Sequence, residues 1–129
     1  MRIRVIIVLL LSVVVLVGCG SEKKNVENVA QSYLDAITNF KTDEARKYVS
    51  PDFEQSIEMM EIFLSWAHKD TIAALIPNKV TINDVEIIAD TAAIVSFHSS
   101  NPRQETDAQI KLNKIDGEWK VVAQGERVE

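Results

Sequence analysis

Apolar residues fill the start of the chain almost without interruption and then recur at helical spacing. Between residues 6 and 17 the single polar side chain is Ser12. From Asn25 onward, apolar residues at three- and four-residue intervals predict a first helix with one buried face. That face comprises Val26, Val29, Ala30, Tyr33, Ile37 and Phe40.

Two shorter helical patterns follow the first helix. One begins at Thr42, which is a suitable N-cap, and has acidic residues in its first turn. The other is opened by Ser50 and Pro51, a preferred pair for a helix start, and keeps helical spacing to about residue 67. A second row of apolar side chains widens its surface, so this helix is expected to contact two surfaces. The row is Met59, Phe63 and Trp66.

The hydrophobic period then changes from 3.6 to 2, which indicates strands. Strands are predicted at about 80–88, 92–99, 108–113 and 119–124, with an irregularity at Asn83 and Asp84. Residues 89–91 and the pair Asp116-Gly117 predict tight turns. On the last strand Trp119, Val121 and Ala123 are expected to face the core. The pattern predicts an α+β fold, with three helices on one face of a four-stranded antiparallel sheet.

The apolar start has the features of a secretory signal peptide. Arg2 and Arg4 precede the apolar run, and the small residue Gly18 ends it. The alternative is a retained membrane span, but a span needs about 20 apolar residues and this run is shorter. The pattern therefore favours a cleaved signal.

Cys19 is the chain's one cysteine and directly follows this segment. The sequence Leu16-Val17-Gly18-Cys19 resembles the lipobox of bacterial lipoproteins. The resemblance implies a diacylglyceryl thioether on Cys19 and further acyl chains such as palmitate, and two or more chains anchor a protein stably. We expect residues 1–18 to be the signal peptide, 19–25 a lipidated tether and 26–129 the folded domain. The domain would be displayed on the exported side of the cell membrane or, since Gly20 is not aspartate, of the outer membrane.

The net charge of the mature chain argues against nucleic-acid binding. The leader contains two of the 14 Lys and Arg residues and none of the 19 Asp and Glu residues, so the mature chain carries a net charge of −7. A surface of this sign repels phosphate backbones.

The order of elements resembles the NTF2-like superfamily, a cone in which a curved sheet wraps a long helix. The motifs that carry this resemblance are Asp43-Glu44-Ala45, Ser50-Pro51, Asp90-Thr91-Ala92 and the segment Asp116-Gly117-Glu118-Trp119-Lys120-Val121. Within that superfamily the chain resembles the small lipoproteins of the DUF4878 family. The resemblance implies a pocket between sheet and helices but no single activity.

The sequence holds few residues suited to catalysis. Asp35 and His98 are the candidates for a general base, although Asp35 falls on the polar side of the first helix. Two isolated histidines do not form a metal-binding pattern, and neither a phosphate-binding loop nor a Gly-x-Ser-x-Gly elbow is present. We predict no catalytic residue, metal or cofactor.

Two functional hypotheses remain. The first is a non-catalytic, membrane-anchored domain that binds a small apolar ligand or an envelope protein. The second is a pocket enzyme, similar to an isomerase or dehydratase, with His98 or Asp35 as the base. The expected pocket residues are Tyr33, Trp66, Phe97, His98 and Trp119. If large side chains fill the pocket, the outer face of the sheet becomes the expected interaction surface, including for a homodimer.

Overall fold

The chain folds as helices followed by an antiparallel sheet. The structure, a computed structural model, describes residues 21–71, 79–101 and 104–128. Helix α1 comprises the helical residues 21–38, α2 spans Thr42–Arg46 and α3 spans Glu54–Trp66. The strands are β1 (Lys79–Ala89), β2 (Ala92–Ser100), β3 (Glu105–Ile115) and β4 (Glu118–Gly125). The predicted α+β class is confirmed.

Several predictions concern residues outside these ranges. The signal peptide (1–18) and the lipid attachment site Cys19 lie outside the described residues. Within the described ranges, no helix is long and apolar enough to cross a membrane.

The four strands form a simple meander in the order β1-β2-β3-β4. The predicted irregularity in β1 is a register shift between Ile82 and Asp84, and the Asp116-Gly117 turn joins β3 to β4. Alternate side chains of β2, β3 and β4 face the helices and are buried with the apolar face of α1, whereas β1 contributes one buried residue, Val85. This core includes Val26, Ala30, Tyr33, Val95, Phe97, Ile110, Leu112, Trp119 and Val121.

Helix α1 begins earlier than its sequence pattern predicts. Residues 21–25, which the sequence assigns to a polar tether, are helical. A long-range contact stabilises this additional helical turn. The carboxylate of Glu22 accepts hydrogen bonds from Lys114 and Trp119 of the β3–β4 hairpin. Helix α1 therefore reaches to within two residues of Cys19.

The starts of the other two helices also differ from their predicted positions. Thr42 lies inside α2 rather than at its N-cap, which is Lys41. Ser50 receives a hydrogen bond from the backbone N–H of Phe53, but it opens a turn, and α3 begins at Glu54. The reason is that Ser50 also pairs with the sheet, through its backbone N–H to the carbonyl of Val121.

A bulge in β4 interrupts the regular alternation of inward- and outward-facing side chains that the sequence predicts for that strand. Leu112 pairs with Val121 whereas Lys111 pairs with Ala123, so one extra residue is accommodated between them. Ala123 therefore shares the outer face with Lys111. Gln124, which the simple alternation placed outside, pairs with buried Ile110 and shares the core face.

Candidate functional site

Tyr33 lies at the centre of the core between α1 and β4. Its side chain is only 2% exposed, and its hydroxyl donates a hydrogen bond of 2.5 Å to Oε1 of Gln124. Its ring meets that of Phe53 edge to face, with 6.4 Å between the centroids. Burial raises the pKa of Tyr33 above its usual range, so the hydroxyl stays protonated. Tyr33 acts here as a packed, hydrogen-bonded core residue.

The other four expected pocket residues occupy three different environments. Phe97 and Trp119 are buried in the same core as Tyr33. His98 points to the opposite face of the sheet because it neighbours Phe97 on β2, and Trp66 is 87% exposed on α3. The structure therefore brings three of the five residues together in a packed core and leaves His98 and Trp66 apart from them.

The two candidate bases lie on separate surfaces. His98 Nδ1 is 2.8 Å from Oδ1 of Asp107, its direct cross-strand neighbour on the outer face of the sheet. Asp35 is exposed on α1 and accepts a hydrogen bond of 2.9 Å from Gln31. The helices and the core separate these two side chains, so they do not form a joint acid–base site.

A shallow cleft of about 420 Å³ opens between α1 and the β3–β4 hairpin. Its lining includes Asn25, Asn28, Val29, Lys47, Tyr48 and residues 117–120. Both lysines have partners, because Lys120 donates a hydrogen bond of 2.6 Å to the carbonyl of Lys47 and the Lys47 ammonium pairs with Glu44. A second polar cleft, which includes Asp35, lies on the other side of Tyr48. The second groove is open and polar, and the first is open with a mixed polar and apolar lining, so neither encloses an apolar ligand.

Helix α3 exposes a row of large apolar side chains. Met59, Ile62, Phe63 and Trp66 are spaced as i, i+3, i+4 and i+7, and we call this row the α3 stripe. Their exposed fractions are 63%, 54%, 49% and 87%. In contrast, Ile57 on the inner side of the helix is buried, and Glu61 forms an ion pair with Arg46 of α2. The sequence pattern predicted this second apolar surface but placed Trp66 in a pocket.

A polar cluster that the sequence pattern does not predict is formed by Glu22, Lys114 and Trp119. Nζ of Lys114 lies 3.0 Å and Nε1 of Trp119 lies 2.9 Å from the two carboxylate oxygens of Glu22. The Lys114 ammonium also lies 5.9 Å from the centre of the Trp119 ring. The hydrogen bond from Lys114, followed by that from Trp119, lowers the pKa of Glu22 below its ordinary value of 4.5. No local signal reveals this cluster, because more than 90 residues separate Glu22 from its partners.

The described residues contain no group of three or more His, Cys, Asp or Glu side chains placed to hold a metal ion. The absence of a metal or cofactor remains a prediction from the sequence.

Comparison with known proteins identifies the fold. No protein-family model and no curated protein sequence matches the chain. Among solved structures, the chain is similar to the crystal structure of an NTF-2-like protein of unknown function from Shewanella oneidensis MR-1. The TM-score is 0.57 at 11% sequence identity, and the match covers 80% of this chain and 96% of the other. The chain has an NTF2-like fold. At this identity the likeness shows the fold alone, and the resemblance to DUF4878 lipoproteins continues to rest on sequence motifs.

Proposed function

We propose that this protein is a cell-envelope lipoprotein, anchored through Cys19, whose NTF2-like domain is a non-catalytic module that binds a partner protein. The lipobox resemblance of Leu16-Val17-Gly18-Cys19 supports the anchor. The NTF2-like fold is compatible with a binding role and specifies no reaction.

The α3 stripe is the observation that supports protein binding over binding of a small apolar ligand. Tyr33, Phe97 and Trp119 pack into the core, where the superfamily resemblance had implied a pocket. A large side chain has roughly 150–250 Å² of surface. With the exposed fractions given above, the four side chains of the stripe together expose about 500 Å². A contiguous patch of that size is typical of an interaction site. Its most exposed member, Trp66, is of the residue type that most often dominates binding energy.

The charges beside the α3 stripe indicate what kind of partner it fits. Glu54 and Glu58 are exposed on the same helix, and Glu61 is only partly covered by its ion pair with Arg46. An apolar surface with an acidic border matches a partner with an apolar patch and a basic rim. A second copy of this chain would present the same glutamates, and like charges at an interface oppose association. We therefore propose a different protein as the partner.

Site-specific photo-crosslinking tests this proposal in cells. Benzoylphenylalanine at Ile62 samples the α3 stripe, and the same residue at Glu86 samples the outer face of the sheet as a control. We expect Ile62 to yield a protein adduct of defined mass, at least about fivefold more abundant than any adduct at Glu86. Adding Trp66→Ala should remove the adduct and leave the circular dichroism spectrum unchanged, because Trp66 is largely exposed.

Three results would contradict the binding proposal. Equal yields at both positions would show that the stripe has no special role. An adduct of twice the chain mass would identify a second copy as the occupant, and an adduct with a small molecule would favour the ligand-binding alternative.

A further inference from the structure

The short distance between Cys19 and α1 restricts how an anchored domain can lie on a membrane. Residue 21 is already helical, and the chain between Cys19 and Ser21 can span at most about 7 Å. A lipid on Cys19 would therefore hold the first turn of α1 at the membrane surface. A flexible tether of residues 19–25 would have allowed the domain to rotate freely.

The first turn of α1 is in turn fixed to the β3–β4 hairpin. The two hydrogen bonds from Lys114 and Trp119 to Glu22 join the start of α1 to both strands of that hairpin. Glu22 and Lys114 also line one cleft with Asp90, which lies in the β1–β2 turn. These elements form one end of the domain, which we call the anchor end and define as residues 21–25, Asp90 and residues 114–120.

The distribution of charge over the domain favours contact through the anchor end. Its charged residues balance, with four basic and four acidic side chains. They are Glu22, Lys23, Lys24, Asp90, Lys114, Asp116, Glu118 and Lys120. The rest of the mature chain carries the remaining 8 basic and 15 acidic residues, and hence the whole net charge of −7. A bilayer with anionic headgroups repels that part and tolerates the neutral anchor end.

From these observations we infer that the anchor end is the membrane-docking face of the domain, with the Asp116-Gly117 turn at the lipid headgroups. This inference rests on the proposed lipid at Cys19. The opposite end of the sheet, at Glu105, lies ten residues or about 33 Å along β3 from Ile115. Glu105 therefore lies at the end of the sheet that points away from the bilayer.

This orientation leaves the α3 stripe accessible to a partner protein. Phe53, directly before α3, packs on Tyr33, which is eleven residues or about 16 Å along α1 from Glu22. Farther along α3, Glu61 pairs with Arg46 of α2, the helix that follows the far end of α1. The four residues of the stripe are exposed and lie outside the anchor end.

Fluorescence quenching at two matched positions tests the docking face. Glu118 at the anchor end and Glu105 at the opposite end have nearly equal side-chain exposures of 73% and 75%. Each is changed to cysteine in the full-length, membrane-extracted protein and labelled with a nitrobenzoxadiazole fluorophore. The chain's native cysteine is Cys19, whose sulfur is blocked in the lipidated form. The protein is reconstituted into phosphatidylcholine–phosphatidylglycerol vesicles that contain a headgroup nitroxide quencher.

We expect quenching at Glu118→Cys to exceed that at Glu105→Cys at least about threefold. Inserting twelve Gly and Ser residues between Gly20 and Ser21 keeps the lipobox but adds a reach of about 20 Å. This insertion should lower quenching at Glu118→Cys to the level of Glu105→Cys, because only the short connection holds the anchor end in place.

The intact mass separates the two ways in which the inference can fail. Equal quenching at both positions, or stronger quenching at Glu105→Cys, in protein whose mass shows acyl chains overturns the docking face alone. A mass without acyl chains overturns the proposed anchor and the docking face with it.

Discussion

Individual side chains in this domain acquire their roles from partners far away in the sequence. Tyr33 and Trp119 were expected to line a pocket, but the ring of each is buried. The Tyr33 hydroxyl and Nε1 of Trp119 each donate a hydrogen bond to a residue far away in the sequence. Aromatic residues with a polar atom usually find such a partner when buried. The amphipathic pattern predicts that these rings face inward, but it does not distinguish a packed core from an open cavity.

Glu22 provides a test of these long-range contacts through pH. Because its pKa is lowered in the folded protein, ionised Glu22 contributes stability above its unfolded pKa of about 4.5, and this contribution is lost as the pH falls through the lower folded pKa. We therefore expect Glu22→Gln to reduce the free energy of unfolding at pH 7 and to have progressively less effect below about pH 4.5.

Urea denaturation of both proteins between pH 3 and pH 7 measures this difference. Glu27→Gln, at an exposed position on the same helix, controls for the loss of one negative charge from α1. A Glu22→Gln effect that is constant over this pH range, or no larger than the effect of Glu27→Gln, would show that the cluster does not hold the start of α1.

At the scale of elements, local sequence predicts the strands and the hairpin turn best. The alternation of side chains in β2 and the turn at Asp116-Gly117 can be predicted from neighbouring residues alone. The structure has both where they were predicted. The start of α1 was predicted too late and the bulge in β4 was not predicted, because each depends on contacts across the fold. Gln124 illustrates this, since only the bulge brings it to the core side where it meets Tyr33.

The β3–β4 turn allows a sharp test at this scale. Asp116 and Gly117 both have positive φ, 52° and 83°, as a tight two-residue hairpin turn requires. A side chain at Gly117 would meet no other atom within 4 Å, so the cost of Gly117→Ala is purely conformational. We expect it to lower the free energy of unfolding by about 1 kcal/mol in urea denaturation.

Gly125→Ala is the matched control for this substitution. An added methyl group there comes no closer than 3.9 Å to its nearest neighbour, and the backbone of Gly125 is not in the left-handed region. Gly125→Ala should lower the free energy of unfolding by well below about 1 kcal/mol. Equal effects of the two substitutions would contradict the assigned turn geometry.

At the scale of the whole molecule, charge and exposed apolar surface are distributed unevenly over the domain. The charge-balanced anchor end includes the residues that follow Cys19 in the sequence, the rest of the mature chain carries the net charge of −7, and the exposed α3 stripe lies outside the anchor end. The sequence predicts the NTF2-like fold and the lipid attachment site, and comparison with a solved structure establishes the fold. It could not predict which surfaces lie together, because that depends on the register of the sheet and on contacts such as Glu22–Lys114.

The intact mass and detergent partitioning of the native protein, beside those of a Cys19→Ala variant, test whether the domain is anchored by a lipid on Cys19. We predict that the native protein lacks residues 1–18, gains the mass of two or three acyl chains and partitions into the detergent phase. Cys19→Ala should abolish both the processing and the added mass. A native chain that keeps its first 18 residues, carries no acyl group and still partitions into detergent would show that the apolar start is a retained anchor, and would contradict the account.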